Sequence, residues 1–222
     1  MSTNVEEKSS CSSDSSLFRK QLFPNSCGAC SLLVAAKELG VEKMPVLSGL
    51  YSELNGGALE LTNECESDLY RITSGSTSYR SQSSNLMDAG YSMPQGIITA
   101  CRLLGIDCEV TENNQVFSTL LSWFYPEVKN QCEGMGCPVR NENQSDVGQL
   151  KLKAMAVSIV GIPAGLHWVV SRPDGSYMDP AIGKNADNFF HLDKNAKSEY
   201  AFVGYYDTGI SIILKKPNSD FK

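Results

Sequence analysis

Apolar residues change from a helical to an extended pattern about two thirds of the way along this chain of 222 residues. Before that point, segments 27–39 and 94–104 repeat apolar residues at helical spacing, and a glycine follows each as a stop signal. Beyond it, 154–162 and 166–171 are short apolar runs rich in β-branched residues. Helices followed by antiparallel strands predict an α+β domain in which a helical half packs on a sheet.

Local signals predict the remaining elements. Ser92 and Gln95 form the pattern of a capping box at the start of the second helix. Tripeptides containing glycine predict tight turns at 173–175 and 207–209, the second of which joins a final hairpin. The other predicted segments are long loops with short helices over 53–90, a strand over 106–110, a helix over 115–124, a polar loop over 127–146, a returning strand over 176–179, and hairpin strands over 200–206 and 210–214.

Composition and charge exclude several classes of protein. The formal net charge of −6 argues against a nucleic-acid or anionic-membrane binder. No apolar run approaches the roughly 20 residues that span a bilayer, so no membrane span is predicted. The N-terminus has neither a basic nor an apolar segment, which predicts no Sec signal peptide. We therefore expect a monomeric protein that is cytoplasmic or is secreted by a dedicated bacterial secretion system into a host or target cell.

The first 17 residues contain almost nothing to bury. Residues 9–16 include six serines, and this composition predicts a disordered, Ser-rich tail over 1–17, followed by one domain over 18–222. The tail has two interpretations. It is a plain flexible terminus, or it is a targeting segment of the polar, serine-rich kind that resembles the N-termini of exported bacterial effectors.

Two cysteines lie at the start of the first predicted helix, in the segment Gln21-Leu-Phe-Pro-Asn-Ser-Cys-Gly-Ala-Cys30. A helix N-terminus favours a thiolate, because free N–H groups and the helix dipole stabilise negative charge there. Gln21 lies six residues before Cys27, where its amide could donate a hydrogen bond to an oxyanion formed on that cysteine. The segment therefore predicts a cysteine nucleophile.

The chain has two histidines, so few bases are available to such a nucleophile. His167 lies in a predicted strand, and Asp179 lies across the tight turn on the returning strand, where a carboxylate could orient the imidazole. His191 is the rival base, but no pattern of a cysteine protease surrounds it. The predicted site is Cys27, His167, Asp179 and Gln21, with the backbone N–H of Cys27 as a second oxyanion donor, and it requires no cofactor or metal.

These residues resemble the papain-like cysteine peptidase superfamily. The motifs Asn-Ser-Cys-Gly-Ala-Cys-Ser-Leu and His-Trp-Val-Val…Met-Asp-Pro-Ala-Ile-Gly are most similar to the peptidase domains of bacteriocin-processing transporters and to small papain-like bacterial effector proteases. In the plant-type motif the second cysteine is the nucleophile, which here is Cys30. The residue six positions before Cys30 is Pro24, which has no amide, so the glutamine spacing selects Cys27. Plant-type enzymes also carry Asn where this chain has Asp179.

The resemblance implies a papain-like fold, in which an N-terminal helical half carries the nucleophile and an antiparallel sheet carries His and Asp. It also implies hydrolysis of peptide bonds in a protein or peptide substrate through an acyl-enzyme. Glutamine deamidases and acyltransferases share the same first step, so they remain alternatives.

Other classes also remain open. Cys27-Gly-Ala-Cys30 fits a dithiol oxidoreductase motif, and the same pair with Cys132 and Cys137 could hold structural zinc. A catalytically silent papain-like binding module is a further alternative. Without an export signal most of the eight cysteines are interpreted as free thiols, with Cys101 and Cys108 packed as small apolar residues.

Overall fold

The computed structural model describes residues 16–47, 54–75, 85–113 and 126–216. The elements in chain order are α1 (Cys27–Glu38), β1 (Val46–Leu47), β2 (Leu54–Asn55), α2 (Asn63–Thr73), α3 (Pro94–Leu103), β3 (Asp107–Glu112), α4 (Pro126–Gly134), β4 (Arg140–Asn141), β5 (Lys151–Ile159), β6 (Ile162–Ser171), β7 (Tyr177–Asp179), β8 (Lys184–Ala186), α5 (Phe189–Glu199) and β9 (Val203–Lys215). Short 3-10 turns occupy Leu86–Asp88 and Gln144–Asp146. The predicted α+β class, with a helical half before the sheet, is confirmed.

Seven of the described strands form one sheet in the order β4-β3-β9-β5-β6-β7-β8. The pair β3–β4 is parallel, and the other neighbours are antiparallel. Strand β9 is the last in the sequence but lies near the middle of the sheet, between β3 and β5. The sheet centre therefore depends on contacts between residues far apart in the chain.

The predicted final hairpin is wrong, because β9 runs without reversal from Val203 to Lys215. The segment 207–209 forms an irregularity in the strand instead, where the register against β5 shifts between Lys153 and Met155. Gly209 adopts a φ of 78°, and Thr208 Oγ1 donates to the Ala154 carbonyl at 2.7 Å. Turn-forming residues can supply the positive φ of a bulge as well as that of a hairpin.

Two other predictions need correction. Part of the predicted polar loop over 127–146 is helix α4, whose Cys132 is buried in the core although most of its neighbours are polar. The predicted capping box is also wrong, since α3 has Met93 as its N-cap and the Ser92 hydroxyl pairs with that of Thr73 at 2.8 Å. The helix predicted over 115–124 lies outside the described residues.

The sheet separates two apolar clusters. The larger lies on the side of the helical half, where α1 packs with its residues 29–36 almost entirely buried. Helix α5 covers the other face, where Leu192 and Ala196 pack with Met155, Val169 and Tyr205. No described helix is both long enough and apolar enough to cross a membrane.

The seven described cysteines are free. Cys101 is buried as predicted, whereas Cys108 is only half-buried.

The described part of the chain begins with a segment bound to the sheet. The Ser16 carbonyl accepts a hydrogen bond from Asn185, and the Leu17 carbonyl accepts one from Arg172 at 2.6 Å. Arg172 is itself buried and also binds Glu38 at the end of α1. These contacts join the start of the domain to both the helical half and the strands. The division into a tail over 1–17 and a domain over 18–222 stays a prediction.

Candidate active site

Cys27 is the first residue of α1, and it is buried, with only 4% of its surface exposed. The preceding Ser26 is the N-cap, but its hydroxyl bonds the Phe23 carbonyl and Glu66 rather than the helix. N–H groups of a first helical turn have no carbonyl partner within the helix, and the helix dipole adds partial positive charge there. The local field at Cys27 is therefore favourable to negative charge.

Close contacts fix the start of α1 against β6. A Cβ atom on Gly28 would come within 2.4 Å of the Ser92 Cβ and 3.1 Å of Trp168 Cδ1, so only glycine allows this approach. One turn further, Ser31 donates to the Trp168 carbonyl at 3.1 Å, and Trp168 Nε1 donates to the Ser92 carbonyl at 2.8 Å. Because Trp168 adjoins His167 in β6, these contacts set the position of Cys27 relative to the imidazole.

His167 and Asp179 lie on neighbouring antiparallel strands, as the turn at 173–175 predicts. His167 Nε2 is 2.8 Å from Asp179 Oδ1, and both residues are buried. Cys27 is the other side chain that acts on the His167 ring, and because Nε2 faces Asp179, Nδ1 is the ring nitrogen available to the sulfur. The structure thus brings three of the four predicted site residues into one row.

The surroundings of His167 and Asp179 in this row favour the charged forms of both side chains. Burial alone would lower the pKa of His167, but the hydrogen bond with Asp179 and the interaction with Cys27 outweigh burial and raise that pKa. Burial would raise the pKa of Asp179, but the hydrogen bond and charge of His167 lower it, as do bonds from Ala181 and Tyr205. The arrangement therefore suits an ionised carboxylate beside an imidazolium.

Tyr205, on β9, completes the surroundings of this pair. Its hydroxyl donates to Asp179 Oδ2 at 3.0 Å, while the Ala181 N–H donates to Oδ1 at 2.9 Å. The phenol ring also stacks on the His167 imidazole, with centroids 5.4 Å apart and planes inclined by 23°. The sequence analysis missed Tyr205, because it lies 26 residues beyond Asp179 in a strand that was interpreted as part of a hairpin.

A second missed residue, Glu66 of α2, organises the loop before the nucleophile. Its carboxylate is fully buried and accepts hydrogen bonds from Arg19 Nε at 2.8 Å, the Leu22 N–H at 2.7 Å and the Ser26 hydroxyl at 2.7 Å. Three points of the loop are therefore attached to one side chain of another helix. No spacing in the sequence links Glu66 to this loop, so only the tertiary structure identifies it.

Gln21 lies in the same loop, and its backbone N–H donates to the Pro180 carbonyl, next to Asp179, at 2.8 Å. Its Nε2 donates to the carbonyls of Phe23 at 2.8 Å and Pro24 at 2.9 Å. The side-chain amide is therefore already engaged, and it must release one of these carbonyls before it can donate to an oxyanion.

The two rival residues have different environments from the predicted site. Cys30 is fully buried, its thiol faces the Arg19 carbonyl at 3.6 Å, and burial reinforced by the charge of Glu66 raises its pKa well above the usual value. His191 lies on the surface of α5, with Nδ1 3.3 Å from Asp187. Cys30 is thus a poor nucleophile, and His191 belongs to a surface pair.

A largely apolar cavity of about 250 Å³ lies beside the start of α1. It shares Ser92 and Trp168 with the contacts of Gly28, and it includes Leu166, which precedes His167. The lining residues are Tyr91, Ser92, Met93, Pro94, Val110, Glu112, Val128, Lys129, Cys132, Val139, Ala154, Ala164, Gly165, Leu166, Trp168 and Ile210. The cavity is therefore close to the residues that surround Gly28 and His167, and it can receive an apolar group.

The alternatives based on cysteine pairs find little support. In the described parts of the chain, no group of three or more His, Cys, Asp or Glu residues is arranged to hold a metal ion. The raised pKa of Cys30 also disfavours the reactive pair of a dithiol oxidoreductase.

Comparison with known proteins decides the class. The family model described as "Invasion plasmid antigen J, cysteine protease" matches residues 19–217. The chain belongs to this family. It is 49% identical over 203 residues to "Cysteine protease IpaJ" of Shigella flexneri, an alignment that covers 89% of this chain and 78% of the relative. No solved structure gives a significant match to the chain.

Membership of the Invasion plasmid antigen J family makes the chain a cysteine protease that acts on protein substrates. The predictions of a papain-like cysteine peptidase and of a bacterial relative are confirmed. Neither comparison assigns the catalytic roles of individual residues.

Proposed function

We propose that the protein hydrolyses peptide bonds with Cys27 as nucleophile, His167 as general base and acid, and Asp179 as the residue that orients His167. The single observation that carries this assignment is the buried row in which His167 binds Asp179 at 2.8 Å and interacts with Cys27 on its other side. The helix N-terminus at Cys27 and the high pKa of Cys30 support the choice of nucleophile.

The reaction follows from the positions of these groups. The Cys27 thiolate attacks the scissile carbonyl carbon, and the Cys27 N–H donates to the resulting oxyanion. His167 then protonates the leaving amine, and a thioester remains on Cys27. Water, deprotonated by His167, attacks the thioester and releases the acid product. Gln21 is the second oxyanion donor in this proposal, after its amide turns away from Phe23 or Pro24.

The cavity beside Gly28 is the proposed site for an apolar group of the substrate. Its wall includes residues from α3, α4 and β9, so substrate preference depends on parts of the chain far from the nucleophile. We further propose that the protein is a monomer that binds no nucleic acid and acts as an effector after export by a dedicated secretion system. The acidic charge supports the absence of nucleic-acid binding, and the description of the family as an invasion plasmid antigen supports the role of an effector.

Alkylation with iodoacetamide at mildly acidic pH, followed by peptide mapping, tests the assignment. Cys27 should react first, and His167→Ala should slow its labelling at least about tenfold, because the imidazolium no longer stabilises the thiolate. Cys27→Ser should reduce peptide hydrolysis by about 10³-fold or more. Equal labelling of several cysteines, or preferential labelling of Cys30, contradicts the assignment.

Gln21→Ala separates the oxyanion role from the ion pair in the same experiment. Alkylation forms no oxyanion, so its rate should stay at the wild-type value, whereas hydrolysis should fall by about 10²-fold. A search for new protein N-termini in lysate treated with the enzyme then identifies substrates, with Cys27→Ser as the control.

A further inference from the structure

We propose that Tyr205 is a positioning residue of the site, which holds Asp179 and His167 in their reactive arrangement through one hydrogen bond and one ring contact. The inference rests on the proposed function, because it assumes that the row of Cys27, His167 and Asp179 is the catalytic site. Tyr205 lies on β9, which is outside both the motif around Cys27 and the motif from His167 to Gly183.

The hydrogen bond fixes the carboxylate. Asp179 Oδ1 accepts from His167 and Ala181, while Oδ2 accepts from Tyr205 at 3.0 Å, so both oxygens are occupied and the group cannot rotate freely. Burial and the nearby charge of Asp179 raise the pKa of Tyr205, so the phenol remains a donor. Each hydrogen bond to a carboxylate favours its charged form.

The ring contact fixes the imidazole. The phenol ring lies nearly parallel to the His167 ring, with centroids 5.4 Å apart, and covers one of its faces. Tyr205 is itself held, because its backbone N–H donates to Asp193 Oδ1 of α5 at 2.9 Å and its side chain lies in the apolar cluster under that helix. The His167 ring therefore cannot turn without displacing a buried residue.

Few other titratable groups face this pair in the described residues. Cys27 and Cys30 approach from α1. Tyr200 follows the last residue of α5, and its hydroxyl donates a hydrogen bond to the Ala181 carbonyl. Lys184 of β8 is exposed and turned towards Glu199. The change in pH dependence predicted below is thus expected to come from Asp179 and His167.

The test compares Tyr205→Phe, which keeps the ring and loses the hydroxyl, with Tyr206→Phe, which makes the same change at the exposed neighbouring residue. For Tyr205→Phe, the acid limb of the pH profile of kcat/KM should shift to higher pH by about one pH unit. The reason is that the charged form of Asp179 loses one of its three hydrogen bonds. The plateau of kcat should fall roughly tenfold with KM little changed. Tyr205→Leu, which also removes the ring, should lower kcat further, by about 10²-fold.

A residue that merely packs would lower activity equally at every pH, or would leave it unchanged. An acid limb in Tyr205→Phe that coincides with those of wild type and Tyr206→Phe overturns the inference. Alkylation of Cys27 across the same pH range, measured without substrate, separates the two proposals. Labelling that depends on His167 in the wild type but is unaffected in Tyr205→Phe rejects only the role of Tyr205. Labelling that never depends on His167 rejects the proposed function.

Discussion

The buried position of His167 decides how the site handles protons. An isolated buried imidazole prefers to be neutral, yet here the Asp179 carboxylate on one side and the Cys27 thiol on the other stabilise its charged form. Folding therefore makes the ring a stronger base than free histidine. The same stabilisation makes the conformational stability of the protein depend on pH.

We expect the contribution of His167 to stability to decline at alkaline pH. The folded pKa is raised above the unfolded value of about 6.5, so this contribution is fully present below that pH and is lost as the pH rises through the folded pKa. The slope is at most about 1.4 kcal/mol per pH unit, because one proton is involved. Urea unfolding of wild type and His167→Gln between pH 6 and 10 measures the difference.

His191→Gln is the control for this prediction, because it removes the partly exposed histidine of α5. Its stability should follow the wild-type curve with pH, while His167→Gln should show a flatter dependence. Parallel curves for wild type and His167→Gln would mean that His167 has no raised pKa in the folded protein.

At the scale of elements, α2 holds the loop that leads to Cys27, the proposed nucleophile. Glu66 receives three donors from residues 19–26, and this loop has no regular secondary structure of its own before α1 begins. The geometry of Cys27 therefore depends on a carboxylate from a different helix. Such buried, fully paired charges stabilise a particular conformation only while every partner is present.

Glu66→Gln should destabilise the protein by about 2–4 kcal/mol. The new amide replaces one carboxylate oxygen with an N–H donor. Either Arg19, bound at Oε2, or the Leu22 N–H and the Ser26 hydroxyl, bound at Oε1, therefore lose their acceptor in a buried site. Glu64→Gln on the exposed surface of the same helix is the control and should change stability by less than about 0.5 kcal/mol. Similar urea midpoints for the two variants would refute the role of Glu66.

The sequence predicts elements well where local pattern and tertiary environment agree. Helix α1, strand β6 and the return at β7 follow from periodicity and turn residues, and they carry Cys27, His167 and Asp179. The errors arise where distant contacts override local signals. Asp207-Thr-Gly209 becomes a bulge because β9 pairs with β5 on both sides of it, and Ser92 leaves its capping position to bind Thr73. Tyr205 and Glu66 act across the fold, so no local pattern could identify them.

At the scale of the whole molecule, the cavity beside Trp168 brings together the helical half and the sheet. Ala164→Phe should fill part of this cavity and raise KM by about tenfold, with little change in kcat. The phenyl ring excludes the apolar group of the substrate but does not touch Cys27, His167 or Asp179. Ala201→Phe, at an exposed position outside the lining, is the control and should leave KM unchanged. Steady-state kinetics on a substrate found by N-terminal profiling provide the measurement, and an unchanged KM for Ala164→Phe would exclude this cavity from substrate binding.

The central place of β9 has a consequence for the time at which the enzyme becomes active. During synthesis, Cys27, His167 and Asp179 leave the ribosome well before residues 203–215. These last residues form β9, and without β9 the strands β3 and β5 have no strand between them to join them into one sheet. Tyr205 arrives with the same strand. A nascent or prematurely ended chain therefore holds Cys27, His167 and Asp179 without the strand that completes the sheet, and we expect activity to appear only once residues 203–215 have joined it.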